Sequence, residues 1–128
     1  MSAARQSSTE FENSRVATRL VATLLAHGSR HFFIAPGSRC TPLTLAIADR
    51  SDSVVTQHFD ERELSYAALG FGRSTGACGI FVCTSGTAVA NALPAVVESS
   101  LDHIPMLLMT ADRPPELRDA GANQTIDQ

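Results

Sequence analysis

Apolar positions along the chain follow two periods that take turns. Val16, Leu20, Val21, Leu24 and Leu25 recur at helical spacing until Gly28 interrupts them, and a T-x-x-E capping box at Thr9 and Glu12 marks the expected start of this first helix. HFFIAP (31–36) is then a short unbroken apolar run stopped by Pro-Gly, the pattern of a strand covered on both faces. Thr41 as cap, with Pro42 at the first helical position, predicts a short helix over 42–49, and VVTQHF (54–59) predicts a second strand. Asp60 and Glu63 form a D-x-x-E box ahead of Leu64, Ala67, Ala68 and Phe71, which fall at i, i+3, i+4 and i+7 of a third helix. CGIFVCT (78–84) predicts a fully buried strand, and TAVANALPAVVESS (87–100) a helix that Pro94 must kink or end early. IPMLLMT (104–110) is the fourth expected strand, beyond which Pro114-Pro115 forbids a simple continuation.

Helix and strand therefore alternate, which predicts an α/β fold: a parallel sheet flanked by helices, with right-handed crossovers. A chain of 128 residues suits one domain, expected over 9–128 with residues 1–8 as a loose tail. The stretches PGSRCT, DERE, TSGT and ADRPPE each follow a strand directly. In a parallel sheet such loops gather at the carboxyl edge, where these folds place their ligands.

Charge and composition narrow the chemistry. The net charge is −3, and the ten Arg, unaccompanied by Lys, are scattered; a nucleic-acid partner is not expected and Schiff-base chemistry is excluded. Three cysteines without C-x-x-C spacing indicate neither disulfides nor zinc, and Cys78 and Cys83 are expected as small buried hydrophobes in a reducing compartment. The four histidines lack paired metal-ligand spacing, so no metal site is expected in this chain. No Ser-His-Asp setting stands out. Neither a signal-peptide core nor a membrane span is present in the pattern, which makes a cytoplasmic location the expectation.

Four places remain as candidate sites. In DERE, capping explains Asp60 and Glu63 but leaves Glu61 unexplained, either a carboxylate favoured by the helix dipole or a catalytic group. Ser38 and Arg39 follow the Pro36-Gly37 turn, where backbone N–H groups and a guanidinium can seat a carboxylate or phosphate, or simply meet solvent. Arg113 in ADRPPE is equally well placed. Ser85, Gly86 and Thr87 form a strand-to-helix turn suited to an anion, although it matches neither the P-loop nor the nucleophile elbow, and Gly86 can serve close packing alone.

Taken together and in order, IAPGSRCTPLTLA, HFDEREL, VCTSGTAVANALPAV and LLMTADRPPELRDAGANQTIDQ resemble the N-terminal region of the MenD family over roughly residues 10–128. That family comprises the 2-succinyl-5-enolpyruvyl-6-hydroxy-3-cyclohexene-1-carboxylate synthases of menaquinone biosynthesis, which use thiamine diphosphate. The resemblance implies most of a pyrimidine-binding (PYR) domain, truncated at its C-terminal end. It further implies that Glu61 hydrogen-bonds the aminopyrimidine ring nitrogen of the cofactor and favours the imino tautomer, with Pro36, Ser85, Gly86 and Thr87 also on the cofactor side. Ser38, Arg39, Arg113, Asn123 and Gln124 fall on positions that bind substrate, 2-oxoglutarate and isochorismate, whose carboxylates suit the two arginines.

The resemblance also implies a second α/β domain, with a G-D-G…N segment holding Mg²⁺ or Mn²⁺ and the diphosphate, which this sequence lacks. The chain is accordingly expected to be a fragment, inactive and self-associating alone, and part of a homodimer or homotetramer when full length. Two rivals stand beside this reading. Another thiamine-diphosphate carboligase or decarboxylase would share Glu61 but need no Arg39 and Arg113 for pyruvate; a non-catalytic α/β anion-binding module would tolerate Glu61→Gln.

Overall fold

A computed structural model describes residues 3–118 and 120–128 of the chain. Among the described residues five α-helices and four strands follow in the order α1 Ala3–Ala26, β1 His31–Ile34, α2 Thr41–Ala48, β2 Val54–Gln57, α3 Glu61–Thr75, β3 Gly79–Cys83, α4 Thr87–Asn91, α5 Leu93–Leu101 and β4 Met106–Thr110. All strand pairings are parallel, and the sheet runs in the order β2-β1-β3-β4. The α/β class with a parallel, helix-flanked sheet is therefore as expected. Strand order reverses between β1 and β3, and a crevice opens outside the carboxyl ends at such a switch point.

Period-2 alternation in the inner strands divides the core between two layers. Phe32, Ile34, Ile80 and Val82 face one side and pack with Val21 and Leu25 of α1, Cys40, and Ile47 of α2. Phe33, Ala35, Phe81 and Cys83 face the other, against Leu64 and Ala68 of α3 and Ala88 and Ala92 at α4. Each central strand is thus apolar on both faces, which is why HFFIAP and CGIFVCT show no polar alternation.

Elsewhere the structure corrects the expectation. α1 begins at Ala3, so the expected cap Thr9 lies inside the helix, the predicted tail is helical from Ala3, and Glu12 pairs instead with Arg15 at 3.2 Å. Val16 and Leu20, read as core, are 54% and 47% exposed, whereas Ala17 takes the buried place beside Val21. The second strand, expected over 54–59, ends at Gln57, and it lies at the sheet edge with every position exposed. Cys40, rather than Thr41, is the N-cap of α2 after a 3-10 turn over Ser38–Cys40. Its buried thiol lies 3.2 Å from the Gly37 carbonyl. Pro94 ends one helix and opens another, so that the single expected helix becomes α4 and α5 joined at Ala92. Cys83 is buried, its thiol pushed up to about 12 by that burial with smaller contributions from Cys40 and Glu61, while Cys78 is only partly buried.

Asp60 is the N-cap of α3, its carboxylate accepting from the Arg62 N–H at 2.9 Å. The capping box does not close, however. The Asp60 N–H donates to His58 Nδ1, and Glu63 lies 3.4 Å from His58 Nε2 instead of reaching back. Hydrogen bonding from the Arg62 side chain holds the Asp60 carboxyl well below the usual carboxylate range, outweighing the opposing effect of burial. The sign follows from linkage: a depressed carboxyl stabilises the fold above its ordinary value and loses that contribution as pH falls through the folded-state value. Asp60→Asn should accordingly flatten the acid side of the stability curve below the ordinary carboxylate range; melting profiles that stay parallel to wild type as pH is lowered would refute this.

Candidate functional site

All four loops singled out in the sequence leave the carboxyl ends of the parallel strands, and the structure ties those after β1, β3 and β4 to one another. The turns after β1 and β3 abut at the switch point: a Cβ on Gly37 would come within 2.4 Å of the Thr84 Cβ, so only glycine permits this approach. Pro36, Gly37 and Ser38 line a hollow of about 440 Å³ with Thr41, Thr44 and Leu45 of α2. Arg39 is partly buried beside it, and among the described residues its guanidinium has no hydrogen-bond partner or counter-ion.

Glu61 occupies the first turn of α3, where a carboxylate gains from the helix dipole. Its Oε2 accepts a hydrogen bond from Asn91 Nδ2 at 3.1 Å across the gap between α3 and α4. Oε1 has no partner among the described residues. Arg62, the adjacent cation, does not compete for it, because its guanidinium is bound to Asp60 at 2.6 and 3.1 Å. The odd acid of DERE is therefore a half-buried carboxylate with one oxygen fixed and the other available.

The turn after β3 has a different neighbour. Segment 121–128 folds back over it: the Thr87 N–H donates to the Gln124 carbonyl at 3.1 Å and the Gly86 N–H to Gln128 Oε1 at 2.7 Å. Gln128 Nε2 in turn donates to the Ala111 carbonyl at 2.9 Å, closing a link from β3 to the end of β4. The N–H groups of Gly86 and Thr87 that suggested an anion seat are thus taken by the chain's own carbonyl and amide oxygens. Gly86 has φ +80°, and a Cβ there would stand 1.8 Å from the Gln124 oxygen. Arg113 belongs to the same knot, its Nη2 bonded to the Asn123 carbonyl.

Beneath this strap lies a cavity of about 540 Å³ whose lining includes Gly86, Asp112, Arg113, Arg118 and Thr125. Among the described residues, three buried side-chain polar atoms lack a partner: Arg113 Nε and Thr125 Oγ1, from residues that line this cavity, and Ser85 Oγ, next to Gly86. Buried polar groups cost free energy unless they are hydrogen-bonded. Their concentration here and the open Oε1 of Glu61 mark the carboxyl edge as a place for a polar ligand. Among the described residues no group of three His, Cys, Asp or Glu side chains is arranged to hold a metal ion.

The structure thus joins Arg113, Asn123 and Gln124 to Gly86 and Thr87, and sets Pro36 and Ser38 in a separate hollow. Among the described residues no hydrogen bond links Glu61 to either set. Sequence reasoning missed Asn91 and Gln128. The first sat in an apolar helical run where a lone amide carries no periodic signal, and the second has a role only once the strap is folded.

Residues 14–128 match the family model described as thiamine pyrophosphate enzyme, N-terminal TPP binding domain. The chain belongs to that family. Among curated proteins it is similar to 2-succinyl-5-enolpyruvyl-6-hydroxy-3-cyclohexene-1-carboxylate synthases. It is 61% identical to that of Salinibacter ruber over 109 residues, which is 85% of this chain and 18% of that protein. It is 58% identical to the Rubrobacter xylanophilus synthase over 109 residues, 85% of this chain and 19% of that protein. Identity to the Pectobacterium atrosepticum synthase is 50% over 121 residues, 94% of this chain and 22% of that protein. The chain therefore spans about a fifth of the length of these relatives. No helix among the described residues is long and apolar enough to cross a membrane.

Proposed function

We propose that this domain supplies the glutamate side of the thiamine-diphosphate site in a synthase that decarboxylates 2-oxoglutarate and adds the succinyl unit to isochorismate in menaquinone biosynthesis. The observation that carries the reading is Glu61, held through one oxygen by Asn91 with its other oxygen open at the carboxyl edge of a domain of this family. When bound, the cofactor supplies the nucleophilic carbon and the electron sink for decarboxylation and carbon–carbon bond formation. The protein's own part is positional and acid–base. Glu61 would face the aminopyrimidine ring nitrogen through Oε1, where its carboxyl group would hold and release a proton.

Pro36 and the turn Ser85, Gly86 and Thr87 would hold the cofactor beside Glu61, with the buried Ser85 Oγ as a polar atom that lacks a partner. Arg39 and Arg113 receive the substrate carboxylates, which a guanidinium can grip through two parallel N–H bonds, and Ser38, Asn123 and Gln124 supply neutral hydrogen bonds beside them. The diphosphate and its Mg²⁺ or Mn²⁺ would be held by a part of the longer relatives that this chain does not span. The working protein is a cytoplasmic homodimer or homotetramer.

The test is consumption of 2-oxoglutarate and isochorismate by the full-length protein, with and without thiamine diphosphate and Mg²⁺. Joint, cofactor-dependent loss of both is expected; preferential use of pyruvate, or indifference to the cofactor, would overturn the assignment. Arg39→Ala should raise KM for the acidic substrates by about ten- to a hundredfold, as expected for losing hydrogen bonds to a charged group. An unchanged KM in steady-state assays would remove Arg39 from the substrate site.

A further inference from the structure

α4 is a five-residue helix cut off at Ala92, where Pro94 forces a restart as α5. The break leaves Asn91 at the last turn of α4, facing the first turn of α3, and its Nδ2 reaches Glu61 Oε2 at 3.1 Å. Both side chains are partly buried.

Resting on the cofactor reading above, we propose that Asn91 is a positioning residue for Glu61, fixing which carboxyl oxygen carries the exchangeable proton. A glutamate at a helix start has several rotatable bonds, and its two oxygens are chemically equivalent until something distinguishes them. The Asn91 amide does so. An N–H directed at Oε2 occupies that oxygen as an acceptor, and a proton placed there along the same line would meet the amide hydrogen. Protonation is therefore directed to Oε1. Because the carboxyl group is planar, anchoring Oε2 also sets the direction in which the Oε1 proton points. Against the ionised carboxylate the amide must present its N–H, since the opposite orientation would set the Asn91 carbonyl oxygen against a negative charge.

Nothing else among the described residues shares this duty. Arg62 is bound to Asp60, and the nearby Cys83 thiol is held protonated by burial. Pro94 thus has an indirect part: by ending α4 where it does, it presents Asn91 to α3.

The experiment compares Asn91→Ala, Asn91→Asp, Glu61→Gln and the double variant Glu61→Gln/Asn91→Ala in the full-length protein loaded with thiamine diphosphate. The readouts are kcat and KM for 2-oxoglutarate, thermal midpoint, and the circular-dichroism signature of the bound cofactor's imino tautomer. Asn91→Ala should lower kcat about tenfold or more, with KM unchanged and the imino signature diminished, the loss expected for a hydrogen bond to a charged group. Asn91→Asp keeps the shape but replaces the donor with a second carboxylate, and should lower kcat further; it also decides the matter if Asn91→Ala does not fold. In the Glu61→Gln background the Asn91→Ala change should cost nothing more, because residues that act as a unit are non-additive. Wild-type kcat in Asn91→Asp, or a loss that multiplies fully onto that of Glu61→Gln, would overturn the role. Wild-type kcat in Glu61→Gln itself would instead bring down the cofactor reading beneath it, and this assignment with it.

Discussion

Glu61→Gln in the full-length protein should lower turnover by about a hundred- to ten-thousandfold, the range over which positioned acid–base groups act. The substitution is nearly isosteric, and the amide oxygen of Gln can still accept from Asn91 Nδ2, so α3 and α4 should remain docked as they are at 3.1 Å. What is lost is the ability to take up and release a proton at the open oxygen. The thermal midpoint should therefore hold while the rate collapses. A large fall in stability with the rate per folded molecule preserved would mean that Glu61 is only a helix-start carboxylate, the simpler of the two readings that its place in DERE allowed.

The second large effect is structural. Gly86→Ala should destabilise the fold and release the strap, because the backbone there has φ +80° and ψ −131° and the new Cβ would stand 1.8 Å from the Gln124 oxygen. Holding an alanine in such a conformation costs about 1–3 kcal/mol even before the clash is relieved. Relief requires Gln124 to move, which breaks its bond to the Thr87 N–H and disturbs the Asn123 carbonyl that Arg113 holds. A lower unfolding midpoint, faster proteolysis within 121–128 and a raised KM for substrate should appear together. An unchanged midpoint and unchanged protection of that segment would show that the strap does not rest on Gly86.

Much of the fold was legible because it depends on patterns of short range. Apolar runs at β1 and β3 announced strands covered on both faces, and the alternation with helices announced a parallel sheet. Departures arise where tertiary position overrides local pattern. VVTQHF was legible as a strand, but neither its place at the sheet edge nor its end at Gln57 was, and the Thr9–Glu12 box has the chemistry of a cap but lies inside a longer helix. The DERE box illustrates the same limit, since His58 takes the N–H that Glu63 was expected to receive.

The candidate site was legible in part. That the loops after the strands form one edge follows from topology alone, and Glu61 stood out by elimination, since capping accounted for its neighbours. Partners were not legible. Asn91 meets Glu61 only because Pro94 breaks a helix, and the N–H groups of Gly86 and Thr87 are committed to Gln128 and Gln124, residues more than thirty positions away in sequence. Contacts of that span leave no periodic trace in a single sequence.

The proposed role of Glu61 is to activate bound thiamine diphosphate through the aminopyrimidine ring. The most direct test is the rate at which the cofactor's C2 hydrogen exchanges with deuterium on the full-length protein, measured by acid quench and proton NMR without any substrate. Wild-type protein should exchange it far faster than free cofactor, and Glu61→Gln should slow that exchange about a hundredfold or more. Equal exchange rates in the two proteins, each saturated with cofactor, would contradict the claim.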